Sequence, residues 1–158
     1  GAVDNASGVA AVLATAERLD PVLAVGVLIT DAEEVGLAGA HAWARDRAPG
    51  VAVNCDTVDD RGRFLLLVSG RLPAALHDAV RAASAAAGVP VGVRRLPAGV
   101  LTDGVALARS GWRTATLGRA TVGTLLRIHT SRDSVGHCAG AGIAPAAALL
   151  DAMVRELV

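Results

Sequence analysis

Aromatic side chains are almost missing from this sequence: its 158 residues include only Phe64, Trp43 and Trp112, and no tyrosine. That excludes an aromatic platform on which single-stranded bases could stack. The core must instead be built from Val, Leu, Ile and Ala, with Ala and Val supplying much of a 53% apolar fraction. Neither sign of charge is in surplus. Lys plus Arg number 15 and Asp plus Glu 15, so the formal net charge is zero with His neutral. No nucleic acid or anionic membrane is expected as a partner. Every long apolar run is cut by Gly, Pro or a charge before the roughly 18 residues a membrane span requires. Cysteine is limited to Cys55 and Cys138, read as two free and mostly buried thiols. No positively charged start leads into a secretory hydrophobic segment. The chain opens at Gly1 without a methionine, on residues that read as the middle of a motif. The expectation is one domain, 1–158, that lacks an N-terminal part.

What is present alternates between two periods. Asn5–Leu19 carries Val9, Val12, Leu13 and Ala16 at helical spacing and predicts a helix. Val22–Thr30 is a β-branched apolar run that predicts a buried parallel strand. Leu37–Arg47 predicts a second helix, closed by Pro49-Gly50. Val51–Cys55 predicts a strand ending at Asp56, and Asp59–Gly62 a turn before a strand at Arg63–Ser69. Pro73–Ala87 reads as a helix with Pro in its first turn and Gly88 past its end. Val89–Arg95 reads as a weak edge strand because of Pro90. A short helix at Gly104–Arg109, a strand at Thr114–Leu117 and a brief strand at Arg127-Ile128 follow. A polar loop at His129–Ser134 and a closing helix at Ala139–Leu157 complete the chain. Gly118–Thr124 is the expected flexible loop. Strands alternating with helices predict an α/β fold, a three-layer α/β/α sandwich around a mostly parallel, mixed sheet.

In such a sheet the chemistry gathers at the carboxyl ends of strands. Glu33 and Glu34 follow the expected strand Val22–Thr30, Asp56 follows Val51–Cys55, and Asp4 stands just ahead of the first helix. His129 opens the late polar loop. A hydrolytic zinc centre needs oxygen and imidazole donors from several elements, and a carboxylate that takes a proton without being a ligand. Asp4, Glu33, Glu34, Asp56 and His129 form such a set. Spacing alone leaves ordinary readings open: Asp4 as a helix cap, the glutamates as first-turn acids, Asp56 as a turn residue. His41, His77 and His137 are read as ordinary histidines. Asn5 and Asp31 either orient loops or cap helices, Asp103 either supports the pocket or caps a helix, and Asp133 either fixes the His129 loop or makes a turn. Gly36 and Gly39 are expected to permit close backbone approach. No Gly-x-Ser-x-Gly segment supports a serine hydrolase, and no dinucleotide fingerprint is present.

The wording of the segments narrows this. Gly-Ala-Val-Asp-Asn-Ala-Ser-Gly-Val-Ala (1–10), Asp-Ala-Glu-Glu-Val-Gly-Leu-Ala-Gly-Ala (31–40), Asn-Cys-Asp (54–56) and His-Thr-Ser-Arg-Asp-Ser (129–134) occur in that order. Together they resemble the M28 family of zinc-dependent exopeptidases, the aminopeptidase group. The resemblance implies a zinc-exopeptidase-like fold with two zinc ions in the complete protein. It makes Asp4 the bridging ligand, Glu34 and His129 ligands of the first ion, Asp56 a ligand of the second, and Glu33 the general base. The remaining ligand of the second ion, a histidine in an upstream His-x-Asp segment, has no match here, so one ion is expected to be held better than two. The implied substrate is a peptide or aminoacyl compound cleaved at its N-terminal bond. A carboxypeptidase, dipeptidase or other amidohydrolase remains an alternative, as does a non-catalytic binding or dimerisation domain. The retained Glu33 argues against the last, since a degenerate copy has no need of a non-ligating glutamate beside Glu34.

Overall fold

The two periods of the sequence become strands and helices that sort their side chains into layers. The computed structural model describes residues 1–70 and 72–158. An irregular helical turn (Ala2–Ser7) leads into α1 (Gly8–Ala16) and α2 (Ala38–Ala44), then β1 (Val51–Val58) and β2 (Arg63–Val68). Next come α3 (Ala74–Ala87), β3 (Val91–Arg95), α4 (Asp103–Arg109), β4 (Arg113–Ala120), α5 (Val122–Leu125) and α6 (Ile143–Arg155). The sheet runs β1-β4-β2-β3. β1 pairs with β4 and β2 with β3 in parallel, while β2 and β4 are antiparallel.

Side-chain alternation along each strand builds the core. Cys55, Phe64, Leu66, Val68, Ala115 and Leu117 pack against Leu76 and Val80 of α3, Leu149 and Met153 of α6, and Ala11 of α1. Leu66 and Leu117 are completely buried, each contributing about 1.5–3 kcal/mol of transfer free energy. The intervening residues of β4 turn the other way. Thr116 Oγ1 lies 3.0 Å from Thr102 Oγ1 at the start of α4. There α2 and α4 enclose a smaller cluster of Leu37, Ala40, Val105 and Ala106. Helices cover both faces, and the fold is the expected three-layer sandwich.

Four local expectations change. Val22–Thr30 belongs to no strand: Leu23 N–H donates to Asp20 O at 3.0 Å in a turn, and Val22, Val27 and Ile29 are exposed. A cleft of about 970 Å³ is lined by residues 24–30, by Val51–Cys55 of β1 and by Val9 and Val12 of α1. A strand requires a hydrogen-bonding neighbour about 4.8 Å away, and the apolar pattern specifies an environment, not that neighbour. Gly118–Thr124 is ordered, because β4 continues to Ala120 and Thr121 and Thr124 then cap each other's backbone at the start of α5. Arg127-Ile128 lies in the turn that ends α5, with both amides bonded to Thr124 O. The closing helix starts only at Ile143, because the Asp60 carboxylate holds the amides of Ala139 (2.6 Å) and Ala141 (2.7 Å) in a loop.

Candidate metal and catalytic site

The Asp4 segment is held on two sides. Asp133, from the loop after His129, accepts the Val3 amide at 2.8 Å and the Asp4 amide at 3.1 Å. Burial would raise the Asp133 carboxyl, but these amides, with the Arg127 guanidinium, hold it below the usual range. On the other side, Asn5 Nδ2 donates to Cys55 O at 3.0 Å, and Asn5 Oδ1 accepts the Thr57 amide at 3.2 Å. These contacts bracket Asp56, where the pairing of β1 with β4 shifts register. Ser7 Oγ accepts the Val58 amide at 3.1 Å and donates to Val3 O at 2.7 Å. Asn5 and Asp133 are therefore positioning groups, not caps or simple turn residues.

This stitching explains Gly8. A Cβ there would stand 2.1 Å from Asn5 Oδ1 and 2.6 Å from Cys55 O, so any side chain must push Asn5 off β1. Gly8→Ala is expected to cost about 1–3 kcal/mol, the usual range for overpacking. Urea denaturation measures it. A loss below about 0.5 kcal/mol would show that the Asn5 contacts are dispensable.

The two glutamates sit on the loop between Thr30 and α2, bent by left-handed backbone at Ala32, Gly36 and Leu37. Gly36 serves that conformation (φ +76°), with open space around it, whereas Gly39 serves close approach, since a Cβ would meet Asp31 O at 2.4 Å. His129 lies just past α5 at φ +60°. Its Nε2 is 2.9 Å from Asp4 Oδ2 and 3.0 Å from Glu34 Oε1. Donor atoms of Asp4, Glu34 and His129 all lie within 4.8 Å of one another.

Asp56 and Glu33 line the same cleft as Asp4 and Glu34 but stand outside that three-donor group. Burial pushes the Glu33 carboxyl up to about 7, helped by the charges of Asp56, Glu34, Asp103 and Asp4. Burial, then Asp4, raises Asp56 to about 6, against the opposing hydrogen bonds of Thr57. The site is thus an excess of carboxylates around one imidazole nitrogen that can carry at most one proton. A divalent cation fits that donor set in charge and in kind. Asp103, at the first residue of α4, makes no cap; its Oδ2 accepts the Thr30 hydroxyl.

The other histidines are elsewhere. His77 pairs with Asp78 at 3.4 Å, and His137 Nδ1 is 3.1 Å from Ser134 Oγ. Among the described residues no imidazole joins Asp56 in a donor group. A second donor group, Asp59, Asp60 and Cys138, is occupied by the protein's own hydrogen bonds. Cys55 is buried and free, and burial, then Asp56, pushes its thiol up to about 12. Cys138 is free and half-buried.

The model of Peptidase family M28 matches residues 1–154. No curated protein matches the chain. Among solved structures the chain is similar to BSAP, a zinc aminopeptidase from Bacillus subtilis, with TM-score 0.79 and 21% identity over 98% of this chain and 41% of that one. It is similar to an aminopeptidase from Aneurinibacillus sp. strain AM-1, with TM-score 0.77 and 22% identity over 98% and 39%. It is also similar to the LapA aminopeptidase of Legionella pneumophila, with TM-score 0.76 and 19% identity over 99% and 46%. The chain spans less than half the length of these structures.

Proposed function

Because the chain belongs to Peptidase family M28, we propose that Asp4, Glu34 and His129 hold a zinc ion and that the protein cleaves N-terminal peptide bonds. The observation that carries this is the meeting of His129 Nε2 with two carboxylate oxygens from separate segments, at 2.9 and 3.0 Å. Asp4 and Asp56, whose charges act on each other across the site, would hold a second ion. No imidazole joins them among the described residues, so this chain would hold a second ion more weakly. Zinc bound here supplies Lewis acidity, making a water more acidic and polarising a carbonyl.

The protein groups do the rest. Glu33 stays outside the ligand set, partly buried, and takes a proton from the attacking water on its carboxylate. It then returns that proton to the leaving amine. The surrounding carboxylates favour a substrate with a free α-ammonium group, as in an aminoacyl amide. The aminopeptidase reading is supported by the aminopeptidases among the similar solved structures.

Zinc titration followed by elemental analysis tests the site. About one tightly held ion per chain is expected, with Glu34→Gln and His129→Ala lowering affinity and Glu33→Gln leaving it near normal. Two tightly held ions, or equal loss in all three variants, would overturn the assignment of ligands and base.

A further inference from the structure

The loop that carries Glu33 and Glu34 is fastened at both ends to one short element, α4. At its far end Leu37, only 1% exposed, packs with Val105 and Ala106 of α4. At its near end the Thr30 hydroxyl donates to Asp103 Oδ2, at the first residue of α4. Asp103 Oδ1 is buried in the same place, without a hydrogen-bond partner among the described residues. α4 is itself fixed on the sheet. Gly104 has no room for a Cβ against Thr116 Oγ1 (2.7 Å), and Thr102 Oγ1 contacts the same hydroxyl.

Asp103 lines the cleft together with Asp4, Glu33, Glu34 and Asp56, and it makes no helix cap. Its one hydrogen-bond partner among the described residues is Thr30, where the irregular stretch before the acidic loop ends. That stretch, 24–30, forms no strand among the described residues. The Thr30–Asp103 hydrogen bond is the side-chain contact that joins its end, and hence the start of the turn at Ala32–Leu37, to α4. We propose that Asp103 is the positioning residue of the acidic loop, acting through Thr30 to hold Glu33 and Glu34 against Asp4 and His129. This rests on the reading of Glu34 as a zinc ligand.

Two measurements test it on the 158-residue chain. Hydrogen exchange of the metal-free protein should show faster exchange across 31–37 in Thr30→Val and Asp103→Ala, with the sheet unchanged. Zinc affinity, by competition with a chromophoric chelator, should fall about 10-fold in both, the lower end for a group that orients a ligand. The double variant should lose no more than either single one, because both remove the same hydrogen bond. Thr30→Ser and Asp103→Asn keep a donor and an acceptor, and should restore both readouts. Normal loop exchange in Thr30→Val, additive losses in the double variant, or failure of Thr30→Ser to rescue would each overturn the tether. If zinc binding is independent of Glu34 and His129, the site reading fails instead, and the exchange measurement still decides the tether.

Discussion

Replacing Glu33 by Gln is expected to lower turnover of an aminoacyl amide by about 10²–10⁴-fold, the range for loss of a general acid–base group, while zinc content stays near that of the unchanged protein. Glutamine fills the same volume and keeps a carbonyl oxygen, but it cannot hold the transferred proton. The expectation is specific because Glu33 stands outside the three-donor group yet lines the same cleft. Turnover and metal content must therefore separate in this variant and fall together in Glu34→Gln. Residual activity within about 5-fold of the unchanged protein, with zinc bound, would end the assignment of Glu33 as the base.

The environment of Glu33 adds a dependence on pH. Burial first, then the neighbouring carboxylates, raises it to about 7 in the metal-free site. A carboxyl whose folded pKa lies above its unfolded value favours folding while protonated, and that contribution is lost as pH rises toward 7. A bound dication opposes the charge part of the shift, so zinc should raise the melting temperature more at pH 8 than at pH 5. The same argument places the acid limb of kcat/KM below pH 7, with activity rising as Glu33 ionises.

The candidate site was legible through the resemblance of four ordered segments to the M28 family, since residue types and spacing alone left each acid an ordinary reading. Asp4, Glu34 and His129 lie far apart in the chain, and the structure brings their donor atoms together. The alternation in β2 and β4 and the helical spacing in α3 and α6 were equally readable, because burial on one face leaves a period in the sequence. Val22–Thr30 shows where that signal stops, since β-branched apolar residues report an apolar surrounding and say nothing about a ladder. Asp133 and Asn5 show the other gap. Each resembles any turn or capping residue, and only the amides they meet, at Val3, Asp4 and Thr57, make them supports of the site. Gly118–Thr124 misled for a related reason: threonines that suit a loop also form a reciprocal cap.

Asp59 is the furthest such case, and its removal should have the largest effect on stability. The sequence marks it only as the start of a turn, yet its side chain is 7% exposed. Asp59 Oδ2 accepts the Thr124 hydroxyl and Arg127 Nη2 at 3.0 Å, and Oδ1 accepts the Asp60 amide at 2.7 Å. Its own amide donates to Arg119 O at 2.8 Å. These bonds join the end of β1 to α5 and to the turn that presents His129. Asp59→Ala would leave the Thr124 hydroxyl, at 0% exposure, with its Thr121 contacts alone, and would remove the carboxylate partner of Arg127, whose Nε has no partner among the described residues. Breaking one side of a largely buried pair costs about 3–5 kcal/mol, to be read from urea denaturation at pH 7. Burial alone would raise the Asp59 carboxyl, but the bonds from Thr124, Asp60 and Arg127 prevail and hold it below its ordinary value. Its stabilisation is therefore present above the unfolded pKa of about 3.9 and is lost as pH falls through the lower folded value. Asp59→Asn should flatten that acid limb, and it should also weaken zinc binding, because Arg127 stands two residues before His129. Stability of Asp59→Ala within about 1 kcal/mol of the unchanged protein, with zinc affinity unaltered, would show that the His129 turn is held by backbone packing alone.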